Sequence, residues 1–189
     1  MKQATLLVIN KDYKGDTAID NVIGYALDSY FADLDEVLTH NLNPDNFNTI
    51  VNDFYDAQSG LDMSNRRRLF HFILTTNISK DMYRTLDEGA EELLYYFEQL
   101  GHQVIMVPHD SSKTNCLNYH WHIVVNSVSY IDGQMLYDRY ETYNSIINYL
   151  NQNPYTKWNW SYKNESETYS RCAYAPYLTA RKIRYGCYG

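Results

Sequence analysis

The stretch 104–126, VIMVPHDSSKTNCLNYHWHIVVN, holds three of the chain's six histidines: His109, His120 and His122. Its two ends are rich in β-branched and aromatic residues and read as strands, and the polar middle, DSSKTNCLNY, reads as the turn between them. On a strand successive side chains face opposite ways. His120 and His122 therefore share a face with Val124 and Asn126, while Trp121, Ile123 and Val125 take the other face and belong to a core. Two residues of rise set the two imidazoles roughly 7 Å apart at Cβ, close enough to converge on one ion. His109 ends the preceding strand and, with the two strands side by side, delivers a third imidazole. Three neutral imidazoles with coordination positions left over are what a catalytic metal site requires. The plain alternative is a set of surface histidines with no ligand role.

Outward from this stretch the chain alternates strands and helices. TLLVIN (5–10) is a short apolar run ending in turn-formers, hence a strand. From Asp16 to Leu38, apolar residues recur at three- and four-residue steps, which predicts one amphipathic helix capped at Asp16 or Thr17. PDNFNTIVNDFYDAQSG adds a short helix closed by Gly60. RLFHFILTT (68–76) is apolar enough to be a strand buried on both faces. DEGAEELLYYFEQLG is a helix with acids in its first turn and Gly101 just past its end. HQVIMVPHD and NYHWHIVVNSVSYIDG are further strands, and YDRYETYNSIINYLNQN is a last helix before Pro154. Strands separated by helices in this order predict one domain, an α/β sandwich in which some neighbouring strands run antiparallel.

Composition narrows the class. With 189 residues, 44% hydrophobic and 21% charged, the chain is an ordinary globular domain with a full core. No window reaches the apolar length of a membrane span, and the apolar run near the N-terminus is short for a signal peptide, so the cytoplasm is expected. Cys116, Cys172 and Cys187 show no C-x-x-C spacing and are expected as reduced thiols. Tyrosine is abundant, at 20 residues against 6 Phe and 3 Trp. The net charge of -7 is uneven: residues 155–189 carry six basic residues against two acidic ones. A basic tail on an acidic body suggests a local anion-binding surface.

The block HDSSKTNCLNYHWHIVVNSVSYIDGQML resembles the third motif of the relaxases, the mobilisation nucleases of the HUH endonuclease superfamily. There a strand ends in His-Asp, a polar loop follows, and a second strand reads His-x-His, aliphatics and Asn before a glycine turn. His109, Asp110, His120, His122, Asn126 and Gly133 fall on that pattern. RRRLFHFILTT looks like the family's preceding strand, and AIDNVIGYALDSY like its N-terminal motif, where a helix presents the nucleophilic tyrosine. The resemblance spans about residues 5 to 150. It implies an HUH-like palm, class α/β (α+β), with a central, mostly antiparallel sheet of about five strands and flanking helices. The nuclease domain would be 1–154, with 155–189 as a basic, aromatic-rich segment of the same domain.

The resemblance further implies metal-dependent nicking of single-stranded or hairpin DNA at an origin of transfer, through a 5′-phosphotyrosine, in the cytoplasm of a bacterium. By position the nucleophile is Tyr25, with Tyr30 and Tyr13 as alternatives. Asp110 is expected either to assist it or to orient a histidine, and His71 is another candidate for both roles. The ligands would be His109, His120 and His122, holding Mg²⁺ or Mn²⁺ in function and Zn²⁺ or Ni²⁺ as purified. An accessory DNA-binding protein is an expected partner, because the acidic body is poorly suited to a long DNA segment.

In the tail, aromatic residues including Trp158 and Trp160 interleave with cations including Arg181, Lys182 and Arg184. Aromatic faces stack unpaired bases while cations follow phosphates, so these residues, with Lys113 and Asn126, are the expected DNA contacts. The other reading of the tail is a tyrosine-rich segment packed over the sheet. Arg66, Arg67 and Arg68 are equally open, as DNA contacts or as the entry to a strand. Two further functions stay in view: a three-histidine zinc hydrolase or lyase, and a DNA-binding or replication-control protein on a degenerate nuclease fold.

Overall fold

Apolar runs without alternation go where both faces of a sheet are covered, and three such runs fill its centre. The computed structural model describes residues 2–28, 32–76, 83–109, 119–163 and 184–185. In chain order the elements are β1 (Lys2–Ile9), α1 (Ala18–Ala26), β2 (Leu38–His40), α2 (Phe47–Gln58), β3 (Leu69–Thr75) and α3 (Tyr83–Gln99). Then come β4 (His102–His109), β5 (His120–Ser129), α4 (Tyr140–Leu150), β6 (Thr156–Lys163) and β7 (Arg184–Tyr185). They form one mixed sheet in the order β6-β1-β3-β5-β4-β2-β7. The five middle strands pair antiparallel throughout. The two edge strands, β6 on β1 and β7 on β2, are parallel additions.

The expected α/β fold with its antiparallel centre of five strands is present, and the sheet extends by two strands taken from the tail. In β6 the residues alternate between Thr156, Trp158 and Trp160 on one side and Lys157, Asn159 and Ser161 on the other. That is the period of a half-covered edge strand.

The helices cover both faces. On one, Leu86, Ala90, Leu93 and Phe97 of α3 and Tyr143, Ile146 and Leu150 of α4 pack on Leu6, Phe72, Met106, Ile123 and Trp158. On the other, Ile19, Val22, Ile23 and Ala26 of α1 and Ile50, Val51 and Phe54 of α2 pack on Ile9, Leu69, Ile73, Val107 and Val124. Asn46 and Thr49 start α2 with a reciprocal capping box. Gly101 follows α3 at φ 73°, a left-handed conformation that glycine adopts without penalty.

The helix expected from Asp16 to Leu38 is corrected: α1 ends at Ala26. Beyond it, Ala32 bridges His109, the Asp33 amide donates to the Pro108 carbonyl at 2.9 Å, and Leu38–His40 pair with β4. The apolar residues Leu27, Ala32 and Val37 reach the core from non-helical backbone, so their helical spacing did not mean a helix.

Candidate metal centre and nucleophile

β5 is the central strand, and its neighbours are β3 and β4. Cross-strand register sets His109 opposite His120 and Val107 opposite His122. All three imidazoles therefore stand on the face that α1 and α2 cover. They are buried, at 4% exposure for His109, 8% for His120 and 1% for His122. One nitrogen from each lies within 4.8 Å of the others. Nε2 of His120 and Nε2 of His122 are 3.1 Å apart, and two nitrogens bound to one ion at about 2.1 Å sit roughly 3 Å from each other.

A fourth histidine belongs to the cluster. His71 on β3 brings its Nε2 to 2.8 Å from Nδ1 of His122, and its Nδ1 lies 3.3 Å from the Tyr13 hydroxyl. Burial is the main cause that pushes His71 down to about 3, with the like charges of His109 and Lys163 adding to it. His122 is held well below the ordinary histidine value by the same burial and then by His109 and His120. Both rings are neutral at physiological pH and keep lone pairs for a metal or a hydrogen bond.

The last turn of α1 lies over the cluster. Nε2 of His109 donates to the Ala26 carbonyl at 2.8 Å; in a neutral ring that leaves the lone pair on Nδ1. Tyr25, half-buried in that same turn, stands edge-on to His122 with ring centroids 5.1 Å apart, and 6.1 Å and 6.3 Å from His109 and His71. A nine-residue helix with its apolar face on the sheet thus points one phenol at three imidazoles. The family described as "Relaxase: MobA/VirD2-like, nuclease domain" matches residues 25–167. The chain belongs to this relaxase family. No curated protein and no solved structure matches it.

The matched stretch opens at Tyr25 and takes in the three histidines that share the ligand geometry. Relaxase nuclease domains nick DNA and in general use divalent metals, and the three-histidine group of this relaxase fits such an ion by donor type and spacing. Among the described residues no helix is long and apolar enough to cross a membrane.

Other expected site residues separate into three groups. Asp110, Lys113, Arg181 and Lys182 lie outside the described residues, as do Tyr30 and the three cysteines, and Arg184 is placed only as backbone of β7. Asn126 and Trp158 are corrected. Asn126 is fully buried. It donates to the Phe54 carbonyl and Gln103 Oε1 and accepts from Gln58 Nε2 and the Val128 amide. It is a polar knot tying α2 to β4 and β5, with no edge left for a nucleotide.

Trp158, 3% exposed, packs in the core against Gly89 of α3, because β6 is part of the sheet. Trp160 is half-buried, donates to Asn144 Oδ1 at 2.9 Å and stands edge-on or tilted against Tyr140, Tyr143 and Tyr162. The arginine run is structural at two positions: Arg67 pairs with Asp138, and Arg68 with Asp16 and Gln58. Sequence reasoning missed Lys11 but counted Lys163 among the tail's interleaved cations; both are exposed at the paired ends of β1 and β6, and their charge reaches His71. The interleaving of Lys with aromatic residues pointed at the right strand and the wrong residue on it.

Proposed function

We propose that this relaxase cuts one DNA strand by attack of the Tyr25 phenolic oxygen on the scissile phosphorus, as in plasmid mobilisation. A bond forms between that oxygen and phosphorus, the bond from phosphorus to the 3′-oxygen breaks, and a 5′-phosphotyrosine and a free 3′-OH result. The phenol loses one proton and the leaving oxygen gains one. One phosphodiester is exchanged for another, so the step reverses when a 3′-OH returns, which is strand transfer. The observation that carries this reading is the placement of Tyr25 against His122 and His109.

The chain's own groups divide the work. His109, His120 and His122 hold the cation, Mg²⁺ or Mn²⁺ in the cell and Zn²⁺ or Ni²⁺ where purification supplies them. When bound, such an ion neutralises charge building on the non-bridging phosphate oxygens. A phenol with an ordinary pKa of about 10 needs a proton acceptor. Asp110, beside His109 in sequence, is assigned either to accept that proton or to hold a histidine in place. His71 is the poorer base, since both its ring nitrogens have partners.

The strand is held by Lys11 and Lys163 beside the cluster, with Lys113, Trp160, Arg181, Lys182 and Arg184 as further contacts. Its substrate is single-stranded or hairpin DNA at an origin of transfer, met in the cytoplasm of a bacterium. A DNA-binding accessory protein offsets the acidic body of residues 1–154, and residues 155–189 complete the same domain.

Incubation with Mn²⁺ and single-stranded oligonucleotides from the neighbouring DNA should give a covalent protein–DNA band that survives denaturation and maps to Tyr25. Tyr25→Phe should abolish it. An adduct on Tyr30 would move the nucleophile. DNA binding with no adduct across sequences and metals would replace this reading with that of a DNA-binding protein on a nuclease fold.

A further inference from the structure

The geometry points to His71, held in place by Tyr13, as a positioning residue that accepts the Nδ1 proton of His122, so that Nε2 of His122 is preset for the cation. This rests on the metal site proposed above. Register places His71 opposite Val124 and Ile73 opposite His122 on the shared β3–β5 ladder, so His71 reaches His122 diagonally across one face. Tyr13, His71 and His122 are 3%, 2% and 1% exposed, and water does not compete for these hydrogen bonds.

The proton count is strict. Only one nitrogen of a neutral imidazole carries hydrogen. If His122 offers the Nε2 lone pair, its proton sits on Nδ1 and is donated to Nε2 of His71 across 2.8 Å. His71 then carries its own proton on Nδ1, aimed at the Tyr13 oxygen 3.3 Å away. The reversed chain, with Nε2–H of His71 donating to His122, puts the His122 proton on Nε2 and blocks it as a ligand. The Tyr13 hydroxyl serves either arrangement, as acceptor in the first and donor in the second, so it holds the His71 ring in place. His71, as acceptor of the Nδ1 proton, supports the tautomer a cation needs. Groups that hold a ligating histidine in this way are worth about 10–100-fold in metal affinity.

The test measures Mn²⁺ affinity of the full chain by calorimetry and the His122 tautomer in metal-free protein by ¹⁵N NMR. In the wild type the proton should be found on Nδ1 of His122. His71→Leu, which keeps volume and removes the acceptor, should weaken Mn²⁺ about 10–100-fold and give a mixed tautomer. His71→Gln, which returns an acceptor near the Nε2 position, should recover most of the affinity, and Tyr13→Phe should show a smaller loss of both signals. A wild-type spectrum with the proton on Nε2 overturns the proposal without any variant, which covers a His71→Leu chain that fails to fold. So does a folded His71→Leu protein with unchanged affinity and tautomer. Wild-type protein that binds no Mn²⁺ overturns the metal site itself, and this proposal with it.

Discussion

Single atoms decide most at Tyr25 and Gly89. Tyr25→Phe deletes one oxygen from a half-buried ring whose edge contacts with the histidines survive. The protein should still unfold cooperatively, because the ring and its packing against the histidines remain, while the covalent DNA band disappears. Gly89→Ala should do the reverse. Alanine favours a helix by about 1 kcal/mol over glycine, yet its Cβ would meet the Trp158 ring at 2.5 Å, and overpacking costs about 1–3 kcal/mol. A lowered urea midpoint is the expected result; an unchanged or raised one would mean that Trp158 is not packed there. At this scale the three histidines were legible because alternation on a strand fixes which residues share a face. The burial of Asn126 and Trp158 was not, because it depends on which strands lie beside them. His71, a lone polar residue in an apolar strand, was a visible signal whose partner was not.

Elements show where periodicity misleads. β3, α2, α3, β4, β5 and α4 stand close to where their patterns put them, since each has an apolar pattern of its own. The run after Asp16 failed because Ala32 and Val37 fill the core from an edge segment instead of a helix. An isolated helix of nine residues is unstable in water, so α1 depends on its tethers, such as Tyr55 donating to Asp20 at 2.6 Å.

At the start of β4, His102 is buried and donates from Nδ1 to the Asn126 carbonyl at 2.9 Å. Burial lowers its pKa and the carbonyl contacts oppose that only in part. A histidine lowered in the fold binds fewer protons folded than unfolded. Its stabilisation is whole above the unfolded value of about 6.5 and is lost as pH falls from there through the folded value. The urea midpoint of metal-free protein should therefore fall between pH 7 and pH 5. His102→Asn, which keeps a donor near Nδ1 and cannot titrate, should fall less steeply, by at most about 1.4 kcal/mol per pH unit. Parallel curves for the two proteins would show that His102 contributes nothing to acid sensitivity.

For the whole molecule, the charge asymmetry seen in the sequence has a structural counterpart: part of the basic segment is the edge strand β6, and Lys163 at its end stands at the paired end of β1. A chain cut after Tyr155 loses β6 and the Trp158 side chain from the core. It should elute as soluble aggregate or unfold without cooperativity, whereas a discrete, cooperative monomer would show β6 to be dispensable. Of the antiparallel centre, β1, β3, β4 and β5 were legible, each with its own hydrophobic run; β2, at the end of the run expected as helix, was not, nor were the two parallel edges, whose pairing joins residues far apart in sequence. β1 leaves the ribosome well before its outer partner, which begins only at Thr156. At roughly 5–20 residues per second, that edge waits on the order of ten seconds for completion. The nascent chain thus carries an open strand until β6 emerges. The pairing of β1 with β6 joins strands separated by four other strands and all four described helices, so closing that edge carries the entropy of a very long loop and is a slow step.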